Sequence, residues 1–314
     1  MSGKLKVGVL MGGPSSEHEV SLDTGKQVLR ALDPSRFLGT PLILGEDLDL
    51  RTLEKELKFP DDLADFDIIF NALHGEYGED GQVQYVLENL GVPYTGSGVE
   101  ASSVGMDKWR SDEVFRKGGL DVPEEELVVG DLKDTLSRAF PVVVKPRSGG
   151  SSLGVFIVKD RMDLIRRIKD AREFDDELII QKYIAGREFT CPVLEMEGKI
   201  RALPIIEIKP KPKYEFFDYE AKYKAGATDE VVPAIIDQGL TLKIQKASIL
   251  AHKLLGCRVY SRTDFIWDGV KLYIIELNTL PGLTENSLMP KSAKVAGISF
   301  SKLIEIIIES SLGR

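Results

Sequence analysis

Hydrophobic and polar positions in the first hundred residues alternate between two periods. Apolar runs at Lys6–Leu10, Pro41–Leu44, Asp67–Ala72 and Val92–Tyr94 read as strands, and Glu17–Leu32, Thr52–Leu57 and Gly81–Leu90 read as helices. Strand and helix in alternation predict a parallel sheet covered by helices. The pattern changes after Ser103. A helix over Met106–Lys117 is followed by strands at Glu126–Val129, Pro141–Lys145 and Val155–Val158, a basic helix at Asp160–Arg172 and a strand at Leu178–Ile184. From Arg187 onward, longer strands joined by turns such as Glu197-Gly198 predict an antiparallel sheet, with helices Gln238–Leu255 and Phe300–Leu312 across it. The fold class is therefore α/β, becoming α+β in the C-terminal part. Linkers at Gly96–Ser103 and Ala185–Arg187 divide the chain into three domains, 1–103, 104–186 and 187–314.

Composition narrows the function. The chain has 314 residues, 43% of them hydrophobic and 29% charged, as in an ordinary globular protein. A net charge of −9 lacks the basic footprint of a nucleic-acid binder. Local lysines can still bind the phosphates of a nucleotide. Cys191 and Cys257 match no metal-ligand spacing and read as buried thiols in a reducing cytoplasm. The first residues enter a strand with no signal-peptide pattern, and no apolar run approaches the ~20 residues that span a bilayer. The expectation is a cytoplasmic protein with no membrane partner.

Four segments carry candidate chemistry. Arg262-Thr263-Asp264 and Glu276-Leu277-Asn278 are embedded in two strand-like runs, and buried carboxylates need a charge partner or a cation. Two carboxylates, an amide and an arginine at adjacent strand ends point to a metal-and-phosphate site. Lys145 to Gly154 is a glycine-rich loop that turns from strand back into strand. That excludes a Walker loop or a dinucleotide fingerprint and suits a flap over phosphates. Gly12-Gly13 ends the first strand before a helix for which Ser15 or Ser16 is the expected cap. Glu17 in the first turn is then placed to receive a substrate ammonium, with capping alone as the competing reading. His74 follows the third strand of the parallel sheet, at the carboxyl end where ligands gather.

Taken in order, these segments resemble the D-alanine–D-alanine ligase family: Gly12 to Ser21, His74 to Gly81, Met106-Asp107-Lys108, Lys145-Pro146 with its loop, Tyr219 to Tyr223, and Arg262 to Asp264 with Glu276 to Leu288. The resemblance covers nearly the whole chain. It implies an ATP-grasp fold, with an N-terminal parallel α/β domain and two domains clasping ATP. It implies that ATP phosphorylates a first D-alanine and that a second D-alanine attacks the acyl phosphate. Lys108 and Lys145 would hold the α- and β-phosphates, Lys222 the γ-phosphate, and the loop hydroxyls of Ser151 and Ser152 would lie over them. Asp264, Glu276 and Asn278 would bind two Mg²⁺ ions, or Mn²⁺, with Glu276 bridging. Arg262 and the backbone of Gly282 would stabilise the oxyanion, and Asn278 would also face the substrate. Glu17 would bind the first ammonium with His74 near the carboxyl end, and Ser287 and Leu288 would take the second carboxylate. Ser151 and Tyr223 would link to Glu17, and the segment 210–230 would be a mobile lid. A homodimer is implied as well. Tyr223 favours D-alanine over D-lactate as second substrate. A ligase using D-serine or D-lactate, and a non-catalytic nucleotide-binding regulator, are the competing readings.

Two departures stand out. Where the family usually has Glu-Lys at the adenine pocket, this chain has Gln181-Lys182-Tyr183-Ile184, with Lys182 and Ile184 lining the pocket and Glu188 expected at the ribose. Glutamine keeps a carbonyl acceptor for the adenine amino group. The turn between Asp264 and Glu276 is also one residue short of the family norm. Side chains alternate faces along a strand, so a two-residue Asp268-Gly269 turn would put Asp264 and Glu276 on opposite faces. A three-residue loop, Trp267-Asp268-Gly269 with a positive φ at Gly269, would pair Ile266 with Val270 and bring Arg262, Asp264, Glu276 and Asn278 to one face.

Overall fold

A computed structural model describes residues 3–130, 139–150, 152–210 and 228–313. The first sheet has the order β4-β3-β2-β1-β5, built from β1 (Leu5–Gly12), β2 (Phe37–Leu44), β3 (Leu50–Arg51), β4 (Glu56–Leu57) and β5 (Ile68–Asn71). Strand β1 runs parallel to both β2 and β5, as the alternation predicts. Both its faces are covered. Val7, Val9 and Met11 join the core under α1 (His18–Ala31), whereas Leu10 packs with Leu42, Leu44 and Ile69 opposite. Close packing of α1 requires Gly25, where an added Cβ would lie 2.7 Å from the Met11 side chain. Ser21 on α1 accepts from Gly12 N and donates to Ala72 O, both at 2.8 Å, which ties the ends of β1 and β5.

Three expected elements differ. Thr52–Leu57 is not a helix but the turn and second strand of a short hairpin, with Leu50 opposite Leu57. Thr52 Oγ1 accepts from Glu54 N and Lys55 N, and this local competition outweighs a helix too short to nucleate. Val92–Tyr94 makes only a single parallel bridge, Ile69 to Tyr94. The expected linker Gly96–Ser103 runs into a helix, α3 (Val99–Met106), which follows α2 (Gln82–Leu90). Small residues form the buried face of α3, so it shows no apolar stripe. Gly105 is closest, with room for no Cβ beside Thr279.

After α4 (Lys108–Lys117), the second sheet is antiparallel in the order β6-β9-β7-β8. It comprises β6 (Glu125–Val129), β7 (Val142–Pro146), β8 (Phe156–Val158) and β9 (Glu177–Lys182), with α5 (Arg161–Ala171) packed against it. The third sheet has the order β13-β12-β10-β14-β15, with β11 on β10. Its strands are β10 (Arg187–Met196), β11 (Lys199–Ala202), β12 (Ile206–Pro210), β13 (Thr228–Val231), β14 (Tyr260–Trp267) and β15 (Leu272–Asn278). Helix α6 (Gln238–Leu254) covers one face through Ile244 and Ala251, and Phe115 of α4 joins that core. Leu303, Ile304 and Ile307 of α8 (Phe300–Ser311) pack with Val7 and Val9 as well as Leu194 and Tyr260, giving the first and third sheets one continuous core. A further helix, α7 (Leu288–Val295), was not expected from sequence, and it contains Pro290. Pro290 lies in the first turn, where proline is tolerated.

Candidate active site

Two adjoining cavities of about 580 and 460 Å³ lie between the sheets and share Lys108, Gly150, Glu276 and Leu288. The first is lined by Glu17, His74, Arg262, Asn278, Gly282 and Ser287. The second is lined by Lys145, Ser152, Gln181, Lys182, Ile184, Glu188 and Asp264. Every site residue expected from sequence within the described regions thus borders one cavity or both. Ser151, Lys222 and Tyr223 lie outside the described residues, as does most of the segment 210–230.

The hairpin of β14 and β15 sits where the cavities meet. Asp264 pairs with Glu276 and Arg262 with Asn278, so all four side chains share a face, as expected. The device differs from the expected three-residue loop. Trp267 pairs with Leu272 around a four-residue turn, Asp268 to Lys271, in which Asp268 accepts from Val270 N and Lys271 N at 2.7 and 2.6 Å. Gly269 does have a positive φ of 100°. An even turn by itself would separate the two carboxylates. The register shifts between Asp264 and Phe265, leaving Ile275 as the extra residue of a β-bulge, and this restores the shared face. Parity is set four residues from the turn, where sequence offers no glycine to mark it.

Arg262 donates to Asp264 through Nε at 3.0 Å and Nη2 at 2.8 Å, and Thr190 Oγ1 reaches the same carboxylate at 2.5 Å. Burial alone would lower the guanidinium's pKa. The Asp264 charge and hydrogen bonds, with Glu276 and Glu79 beyond, outweigh burial and raise it above the ordinary arginine range. Asp264, Glu276 and Asn278 offer two carboxylates and a carboxamide on one face beside an open cavity. Such hard oxygen donors fit Mg²⁺ that keeps other positions for phosphate oxygens. Asn278 Oδ1 is oriented by accepting from Leu280 N at 2.9 Å.

In the first cavity, Glu17 occupies the cap position of α1 yet makes no capping hydrogen bond. Ser15 does not cap the helix either. It accepts from Glu17 N at 3.1 Å and donates to His74 O at 2.6 Å, joining the loops after β1 and β5. Gly75 and Gly150 bring backbone close to Glu17, since an added Cβ would sit 3.0 and 3.9 Å from its Oε2. His74 is buried, with Nε2 3.0 Å from Thr24 Oγ1 and Nδ1 3.4 Å from Glu79 Oε1. Gly282 lies between Ser287 and His74, where an added Cβ would sit 3.0 Å from Ser287 Oγ and 3.9 Å from His74 Cε1.

In the second cavity, Lys108 Nζ donates to Gly149 O at 2.5 Å, and Lys145 Nζ is buried 3.4 Å from Gln181 Oε1. Arg147 fixes the base of the glycine loop. Its Nε and Nη2 reach Asp107 at 3.0 and 2.6 Å, its Nη1 pairs with Glu177, and its carbonyl accepts from Lys108 N. Asp107 also caps α4 by accepting from Arg110 N. Arg147, Thr190 and Glu79 were not singled out from sequence. The partners of the first two lie 40 and 74 residues away, and only the Asp-Lys and Lys-Pro spacings hinted at the Arg147 clamp. Cys191 and Cys257 are buried as expected, and burial pushes both thiols up to about 12.

Residues 113–309 match the family model described as D-ala D-ala ligase C-terminus, and residues 46–97 match that described as D-ala D-ala ligase N-terminus. A D-alanine--D-alanine ligase of Bacillus anthracis is 45% identical over 313 residues, covering 98% of this chain and 97% of the relative. The crystal structure of a Bacillus anthracis D-alanine--D-alanine ligase complexed with ATP superposes with a TM-score of 0.83 at 40% identity, covering 98% of each chain. The VanG D-Ala:D-Ser ligase of Enterococcus faecalis superposes with the same TM-score at 26% identity, covering 98% of this chain and all of the other.

Proposed function

This chain belongs to the D-alanine–D-alanine ligase family, and we propose that its two joined cavities divide the family's reaction between a nucleotide side and an amino-acid side. It is an ATP-dependent ligase with the ATP-grasp fold, and it joins two D-alanines into D-alanyl-D-alanine. ATP enters the second cavity, with Gln181, Lys182 and Ile184 at the base, Glu188 at the ribose, and Lys108, Lys145 and Ser152 at the phosphates. The first D-alanine enters the other cavity, its ammonium at Glu17 and its carboxylate turned toward Arg262, with His74 beside it.

A carboxylate oxygen of that D-alanine attacks the γ-phosphorus, and ADP leaves with the electron pair of the broken P–O bond. The amine of the second D-alanine, its carboxylate at Ser287 and Leu288, then attacks the acyl carbon. The C–O bond to phosphate breaks, phosphate leaves, and the amine gives up its proton. Arg262 and the backbone at Gly282 face the oxyanion formed in between, a contribution that often dominates an acyl-transfer barrier. Asp264, Glu276 and Asn278 would hold Mg²⁺, which would supply charge neutralisation for the transferring phosphoryl group. The family resemblance assigns Lys222 to the γ-phosphate and Ser151 and Tyr223 to contact with Glu17.

The observation that carries this reading is the shared face of Arg262, Asp264, Glu276 and Asn278 at the junction of the cavities. D-alanine labelled with ¹⁸O in its carboxylate should pass one label to the released phosphate. Phosphate free of label would contradict an acyl-phosphate route. The same reading places the protein in the cytoplasm as a homodimer of three-domain subunits with bounds near 103 and 186. No helix among the described residues is long and apolar enough to cross a membrane.

A further inference from the structure

Gln181 stands directly opposite Glu125 in the β9–β6 register, so both side chains lie on one face at the back of the second cavity. Gln181 Nε2 donates to Glu125 Oε2 at 3.1 Å, while Gln181 Oε1 accepts from Lys145 Nζ at 3.4 Å. The Glu125 side chain is only 1% exposed, and its other oxygen is held by Arg116 Nη2 at 3.0 Å. An ionised carboxylate only accepts hydrogen bonds and an ammonium only donates them. Between two such neighbours a carboxamide has one satisfied orientation.

We infer that Glu125 is a positioning residue for base selection: it holds the Gln181 amide with the carbonyl toward the nucleotide cavity, to accept from the 6-amino group of adenine. This rests on ATP occupying the second cavity as proposed above. A carboxylate at position 181 would need no such orientation, since both its oxygens accept. An amide without a fixed partner could turn its NH₂ inward. Lys145 cannot fix it alone, because its contact is long and its ammonium also serves the phosphates. Asp112 lies behind the group, 1% exposed and 3.8 Å from Lys145 Nζ. Burial, opposed by Lys145 and reinforced by Glu125, pushes its carboxyl well above the ordinary range.

The test compares kcat/KM for ATP with that for purine riboside triphosphate, which lacks only the 6-amino group. The wild type should prefer ATP by about tenfold, the scale of one buried hydrogen bond. Glu125→Gln is isosteric and can satisfy either amide orientation, so the preference should shrink to within about threefold. Gln181→Met keeps the Glu125–Arg116 pair and should likewise lose the preference, because it removes the acceptor that Glu125 orients. A purely structural role for Glu125 would lower both rates and leave their ratio unchanged, and an unchanged ratio in either variant overturns the inference. A wild type that uses both nucleotides equally also overturns it while leaving the ATP site standing. Failure of both nucleotides to bind would remove the ATP site and the inference together.

Discussion

Asp264 is held by Arg262 and Thr190 before any cation is considered, so its charge serves two purposes. It neutralises a guanidinium that is only 12% exposed, and it offers oxygens to the face shared with Glu276. Asp264→Asn should therefore lower kcat at least about a hundredfold and also lower the thermal midpoint, because Arg262 is left without its charge partner. Steady-state kinetics beside calorimetry checks both, and an unchanged kcat would exclude Asp264 from the site. At this scale the chemistry was largely legible. Residues with improbable polarity in apolar runs, such as Asp264 and Glu276, marked themselves. Residues whose role is set by a distant partner did not. Thr190, Glu125 and Arg147 are unremarkable in their own segments and acquire meaning only from contacts 74, 56 and 40 residues away.

The β14–β15 hairpin shows how an element can be right in outcome and different in construction. That Asp264 and Glu276 share a face was deducible from the chemistry they must do, but the means was not. Bulges at ordinary residues carry no composition cue, whereas turns advertise themselves through glycine. Because the bulge at Ile275 rather than the turn sets parity, the two can be separated experimentally. Replacing Asp268–Lys271 with Asn-Gly keeps Trp267 opposite Leu272 and should leave kcat within about threefold. Deleting Ile275 alone removes the extra residue but leaves Asp264 opposite Glu276 in a regular ladder, so kcat should stay within about tenfold. A loss of about a thousandfold in the deletion would instead make Ile275 a regular ladder residue, with parity set by the turn. Helix α3 and the β3–β4 hairpin escaped detection for a different reason. Small buried residues hide the period of α3, and six residues at Thr52–Leu57 fit either state until the Thr52 hydroxyl decides.

In the whole molecule, the three sheets were legible as a change from parallel to antiparallel patterning, but their joining was not. Helix α8, last in the chain, packs on the first strand, and α4 packs on the third sheet, so cores cross the boundaries that sequence suggests. Ion pairs also bind distant segments. Among the carboxylates that lie below their ordinary range, three are held by distant segments: Glu195 by its hydrogen bond to His252, and Asp107 and Glu207 because Arg147 and Arg187 outweigh the effect of burial. Each contributes stability above its unfolded pKa of about 4, and that contribution is lost as pH falls through the lower folded value. The thermal midpoint should accordingly drop as pH is taken below about 4, and a flat profile there would show these pairs to be inconsequential.

The enzyme ligates D-alanine to D-alanine with ATP, while a structural neighbour of the same fold, the VanG ligase of Enterococcus faecalis, is a D-Ala:D-Ser ligase. The most direct measurement is ATP-dependent phosphate release with D-alanine alone, L-alanine alone, and D-alanine paired with D-serine or D-lactate, with products identified by mass. One D-alanyl-D-alanine should form per phosphate, none should form from L-alanine, and mixed products should form more slowly. Phosphate release without dipeptide, or a mixed product that forms faster than D-alanyl-D-alanine, would contradict this activity.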